Sequence, residues 1–226
     1  MKRVFVSLAA LIILALPGIA SADVITFRPT PSDLNDLDHH MVYTWRVDNV
    51  NVPRGHTITG ARLVINNISN WDRNPNMLFI HLLDTARSSG VASFVDDPTN
   101  QAPIPESEII DDFVNERFHD RRSWLVDANT GDILLDSRSF TMTAVNYEWV
   151  LTPAQLNTLA AFITSGGNFA LGFDPDCHFF NSGISFQITT QPNQVPEPAT
   201  MTLLGTGLAS LYYRRRRQQQ KKRSEA

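Results

Sequence analysis

Between positions 24 and 190 the apolar residues of this chain come in short β-branched and aromatic runs, each closed within a few residues by Gly, Pro, Asn or Asp. Runs of this length suit strands and are too short for an amphipathic helix, so the chain must pair them side by side. One is 41–47, where Val42, Thr44 and Arg46 alternate with Met41, Tyr43, Trp45 and Val47. The same reading predicts strands at 24–27, 58–65, 77–83, 91–95, 124–126, 133–135, 139–145, 147–151, 169–173 and 184–190. Pro53-Arg54-Gly55 and Asn74-Pro75-Asn76 supply turns between them. Strands of this number and spacing predict a mainly β fold, a two-sheet antiparallel β-sandwich of jelly-roll-like form with one or two short helices.

Two segments break the strand pattern. Thr152-Pro153 sets a capping hydroxyl before a proline suited to the first helical turn, Leu156, Leu159, Ala160 and Ile163 share a face, and Ser165-Gly166-Gly167 stops the helix. A second helix is predicted over 106–118, with Ile109, Ile110, Phe113, Val114 and Phe118 apolar and acids in its first turns. The Asp-, Pro- and Asn-rich stretch 96–105 reads as a loop.

Charge is distributed unevenly. Residues 23–194 hold 21 acids against 10 arginines and no lysine, a net of −11, whereas the whole chain carries only −4. An acidic body argues against binding nucleic acid, which needs clustered Lys and Arg to neutralise phosphates, and it favours cations. Without a lysine, residues 23–194 have neither Schiff-base chemistry nor a phosphate-binding P-loop. Cys177, the single cysteine, forms no disulfide within the chain, so packing or metal must supply stability.

Both ends read as targeting segments. Lys2 and Arg3 precede an apolar stretch over 4–16, Pro17-Gly18 breaks it, and Ala20-Ser21-Ala22 has the small-x-small pattern read by signal peptidase. Residues 1–22 are therefore expected to be a signal peptide cleaved after Ala22, followed by an exported β-sandwich domain over 23–194. Over 195–226, Pro196-Glu197-Pro198 leads into an uncharged run at 199–213 and then into Arg214, Arg215, Arg216 and Arg217. The run is expected to be a transmembrane segment, although a helix of this length reaches only ~22 Å against the ~30 Å hydrocarbon core. Tyr212 and Tyr213 stand where an aromatic belt would lie, and the basic tail would stay cytoplasmic.

The order of Pro-Glu-Pro, apolar segment and arginine cluster resembles the PEP-CTERM sorting signal. The resemblance implies handling by the membrane protease exosortase, a transient inner-membrane anchor, and a final place at the cell surface or outside a Gram-negative cell. It also implies an association with exopolysaccharide and the biofilm matrix.

Two groups of residues carry candidate chemistry. Asp33, Asp36 and Asp38, with His39 and His40, fall between the first two strands; Asp174, Asp176, Cys177, His178 and Asn181 fall between the last two. If the first and last strands are neighbours, the two loops meet. Carboxylate and amide oxygens one or two residues apart suit Ca²⁺, which takes six to eight oxygens, and Asp33, Asp36, Asp38, Asp174, Asp176 and Asn181 are the candidate ligands. The competing reading is that Asp and Asn cap their own turns. A softer set, His39 or His40 with Cys177 and His178, would suit Zn²⁺ or copper. Trp71, in the polar sequence Asn70-Trp71-Asp72-Arg73-Asn74, is the tryptophan expected to be exposed and to stack on a glycan, whereas Trp45 and Trp149 lie within strands.

The chain has no Gly-x-Ser-x-Gly elbow and no His-Glu-x-x-His. The leading expectation is a non-catalytic structural or glycan-binding module tied to exopolysaccharide, with signal peptidase and exosortase as processing partners. The alternative is a secreted hydrolase acting on polysaccharide.

Overall fold

The computed structural model describes residues 22–39, 41–95, 111, 113, 132–193 and 199–224. Two compact units divide the chain, residues 1–192 and residues 193–226. Among the described residues the first holds ten strands: β1 (Asp23–Phe27), β2 (Met41–Val47), β3 (His56–Asn70), β4 (Met77–Leu83), β5 (Gly90–Val95), β6 (Ile133–Ser139), β7 (Val145–Val150), β8 (Phe169–Pro175), β9 (Phe179–Phe180) and β10 (Ile184–Pro192). One sheet runs β1-β10-β3-β7, with β9 on the end of β3; the other runs β5-β2-β8-β4-β6.

Every pairing is antiparallel, and the pairs nest: β1 with β10, β2 with β8, β3 with β7, β4 with β6. A long hairpin of four strand pairs wrapped round a barrel axis gives this order, which is the jelly roll. The strand β5 adds an edge beside β2.

Alternation explains which face each strand buries, and the exceptions are bulges. In β3, Ile58, Ala61, Leu63, Ile65 and Ile68 turn inward, so the inward parity changes after Ile58 and again after Ile65. Register shifts fall at those places, one opposite Thr189 and Thr190 and one between Ile65 and Ile68, where Asn67 adopts φ 49°. Each bulge inserts one residue and flips the faces. The predicted strand over 58–65 is therefore the middle of a 15-residue strand.

The core lies between the sheets. Leu63, Ile65, Ile68, Tyr147, Phe186 and Ile188 face Tyr43, Trp45, Leu78, Ile80, Leu82, Phe169, Leu171 and Phe173. Phe169 and Phe186 meet across the gap with ring centroids 5.0 Å apart. The second sheet is covered on its outer face as well, where Val42, Leu83, Ala86, Phe113 and Ala170 form a second cluster. Buried His81 anchors that cover, its Nε2 lying 3.0 Å from both carboxylate oxygens of Asp111. The Phe113 amide donates to Asp111 Oδ1 at 3.1 Å, and the Phe113 ring lies over Gly172.

The crossover from β7 to β8 is the helix α1 (Pro153–Gly166), with the predicted cap at Thr152, which forms a capping box with Gln155, and a left-handed Gly167 closing it. Its buried residues are Leu159, Phe162 and Ile163, so Phe162 joins the face predicted from Leu156, Leu159, Ala160 and Ile163. The predicted strand over 139–145 is corrected. Phe140 turns into the core, and the Thr143 amide donates to Thr141 Oγ1 at 3.2 Å in a local turn before β7. The predicted loop at 96–105, the strand at 124–126 and, apart from Asp111 and Phe113, the helix at 106–118 lie outside the described residues. Neither Asp111 nor Phe113 is helical.

In the second unit, residues Ala199–Ser224 form one helix, α2. The expected transmembrane segment over 199–213 falls within this helix; among the described residues no helix is long and apolar enough to cross a membrane. The uncharged run is ended by Arg214–Arg217, so the helix continues as a strongly basic one. The signal segment before Ala22, including Ala20, and the Pro196-Glu197-Pro198 motif lie outside the described residues.

Candidate functional site

Because β1 neighbours β10 and β2 neighbours β8, the loops that leave β1 and β8 come together at one end of the jelly roll. The β1–β2 loop turns in an unusual way. Leu34, Asn35, Asp36 and Leu37 all have positive φ, 53°, 56°, 60° and 46°, making a left-handed turn that L-residues resist. What offsets the strain is burial, since Leu34 and Leu37 are both 0% exposed. Hydrogen bonds from the opposite loop hold the turn as well: Asn181 Nδ2 donates to the Asp33 carbonyl at 2.8 Å and the Asn181 amide to Asp36 Oδ1 at 3.3 Å.

With both leucines turned inward, Asp38 and His39 are carried outward. The Asp38 amide donates to the phenol oxygen of buried Tyr43 at 2.9 Å, which fixes the start of the pair. One carboxylate oxygen, Asp38 Oδ1, then lies 2.9 Å from His178 Nδ1 and 3.1 Å from His39 Nδ1. The hydrogen bond from His178 holds the Asp38 carboxyl below its ordinary value, against the opposing effect of burial. The His178 ring packs against Phe180, centroids 4.5 Å apart, and its Nε2 is buried.

On the other side of His178 is Trp71. The Trp71 amide donates to the His178 carbonyl at 3.1 Å, and its indole interacts with the Cys177 thiol. Trp71 is 54% exposed and Phe180 is 48% exposed. Beside Trp71 runs a web of amides and a carboxylate. Asn70 Nδ2 donates to the Asn74 carbonyl at 2.8 Å, Asn74 Nδ2 reaches Asp72 Oδ2 at 2.6 Å, and Asn76 Nδ2 reaches Asp72 Oδ1 at 2.9 Å. Burial pushes the Cys177 thiol up, which counts against a thiolate nucleophile.

The six residues of the Ca²⁺ reading are spread over several roles. Asp33 Oδ1 accepts the Asn35 amide at 3.1 Å and Asn181 Oδ1 accepts the Gly183 amide at 3.0 Å, the local capping that Asp and Asn supply in turns. Asp36 accepts from Asn181, and Asp38 faces the two histidines. Asp174 is buried on β8, in alternation with the inward Phe173 and so on the face opposite the main core; Asp176 has its amide on the Met77 carbonyl. Of the softer set, His178 and His39 meet at Asp38, Cys177 faces Trp71, and His40 lies outside the described residues. Sequence reasoning anticipated the meeting of the loops and the exposed Trp71. It missed the link between Trp71 and Cys177, which lie far apart in the sequence and carry no local signal for it.

Residues 194–217 match the PEP-CTERM protein-sorting motif. No curated protein significantly matches the chain. The motif marks an exported protein with a membrane-directed sorting signal that exosortase processes.

Proposed function

We propose that the exported jelly roll is a non-catalytic module of the cell surface or extracellular matrix that contacts exopolysaccharide through Trp71. The observation that carries the reading is a tryptophan side chain left exposed on a backbone that is tied down by the His178 carbonyl. A ring held in this way loses little freedom on binding, so stacking against a sugar is not offset by ordering cost. The Asn70, Asp72, Asn74 and Asn76 groups beside it offer the donors and acceptors that hydroxyl-rich ligands need.

The ends of the chain fit this reading. Cleavage after Ala22 removes no strand residue, since β1 begins at Asp23 and pairs at once with Thr190 of β10. The tail would hold the protein at the inner membrane until exosortase acts. In a strain lacking exosortase the intact mass should include the arginine cluster, and an unchanged mass would count against processing.

Binding is tested with the exported protein and purified exopolysaccharide. Saturable binding that falls at least tenfold in Trp71→Ala supports the module. Release of reducing ends instead supports a secreted hydrolase, and the absence of both leaves a structural matrix role.

A further inference from the structure

We propose that Asp38, His39 and His178 form a binding site for a divalent transition-metal ion of the Zn²⁺ class. The three side chains present one ligand atom each, all within 4.8 Å of one another. The closer spacings are 2.9 and 3.1 Å, from Asp38 Oδ1 to the two imidazole Nδ1 atoms. Ligands of a tetrahedral Zn²⁺ with bonds of about 2.0–2.1 Å stand about 3.3 Å apart, so small shifts would admit the ion. Two nitrogens and a carboxylate oxygen suit Zn²⁺, Cu²⁺ or Co²⁺ and not Ca²⁺, which selects oxygen.

The ligands come from two loops that are already fixed. The left-handed turn, with Leu34 and Leu37 buried, and the bond from the Asp38 amide to Tyr43 set Asp38 and His39. The Trp71 amide and the Phe180 ring set His178. Since His178 Nε2 is buried, Nδ1 is the nitrogen turned to the site. The Asp38 and His39 side chains are about half exposed, at 50% and 49%, which leaves room for water as a fourth ligand. The net charge of −11 over residues 23–194 draws cations toward the surface. This site does not depend on glycan binding at Trp71.

The test uses the exported protein without a histidine tag, stripped with chelator and titrated with Zn²⁺ by calorimetry and with Co²⁺ by visible absorption. The expected result is one Zn²⁺ per chain and the intense absorption of four-coordinate Co²⁺. Affinity should fall at least tenfold in His178→Ala and in His39→Ala, while His56→Ala, outside the cluster, binds as the wild type does. His39→Ala keeps the hydrogen bond from His178 to Asp38, so its loss of binding is separable from loosening of the loops. Absence of stoichiometric Zn²⁺, unchanged affinity in both variants, or a melting temperature raised by Ca²⁺ but not by Zn²⁺ would overturn the assignment.

Discussion

Replacing Gly172 by alanine tests whether the segment carrying Phe113 is part of the folded core. A Cβ on Gly172 would stand 2.4, 2.8 and 2.9 Å from three atoms of the Phe113 ring. Carbon atoms in contact prefer about 3.5–4.0 Å, so the ring would have to withdraw by about 1 Å or more. It has little room to do so, since Val42, Leu83, Ala86 and Ala170 share its cluster and the His81 ring lies 4.7 Å away. Overpacking of this kind costs about 1–3 kcal/mol. In a domain of this size that lowers the melting temperature by about 2–12 °C.

Phe113→Ala alone should cost about 3–5 kcal/mol through lost burial and a cavity. In the double variant the clash has no partner, so Gly172→Ala should add almost nothing, and the two effects should be non-additive by about 1–3 kcal/mol. Thermal melts of the four proteins measure the cycle. A Gly172→Ala protein that melts like the wild type, or strictly additive costs, would refute the placement of Phe113 over β8.

Three further outcomes are expected. Tyr147 donates to Asp136 Oδ2 at 2.7 Å, and burial first, then Asp136, raise its pKa well above the ordinary value of about 10, so its contribution is complete below about pH 10 and lost as pH rises further. Tyr147→Phe should cost about 1.5–3 kcal/mol at neutral pH and flatten the alkaline fall in stability, read from melts across pH 8–12, conditions chosen to span about pH 10. Thr152→Ala removes the hydroxyl that accepts the Gln155 amide and should cost about 1 kcal/mol, seen as a lower denaturant midpoint with unchanged slope. Cys177 in the folded protein should react with iodoacetamide more slowly than in the unfolded protein, because burial disfavours its thiolate; equal rates followed by mass spectrometry would contradict this.

The parts of the fold legible in the sequence are those where local pattern and tertiary demand agree. β2 and β4 begin and end at the predicted residues because each alternates or runs apolar between clear turn signals. The predicted strand ends at Ile65 because alternation fails at the second bulge of β3, and a bulge depends on the partner strand as much as on its own residues. Residues 139–145 carry strand-like Phe140, Thr141 and Val145, but burial of Phe140 and the Thr141 turn separate β6 from β7. At the candidate site the meeting of two loops follows from strand order. The left-handed turn at Leu34–Leu37 does not, since leucine has no local preference for that conformation and only burial in the finished core selects it.

The nested strand order has a consequence for export. β1 leads the chain, yet its partner β10 is the last strand to emerge and ends at Pro192, two residues before the sorting motif begins at residue 194. A chain threaded outward from its N-terminus must keep β1 unpaired until nearly the whole domain has crossed, a period when open strand edges invite aggregation.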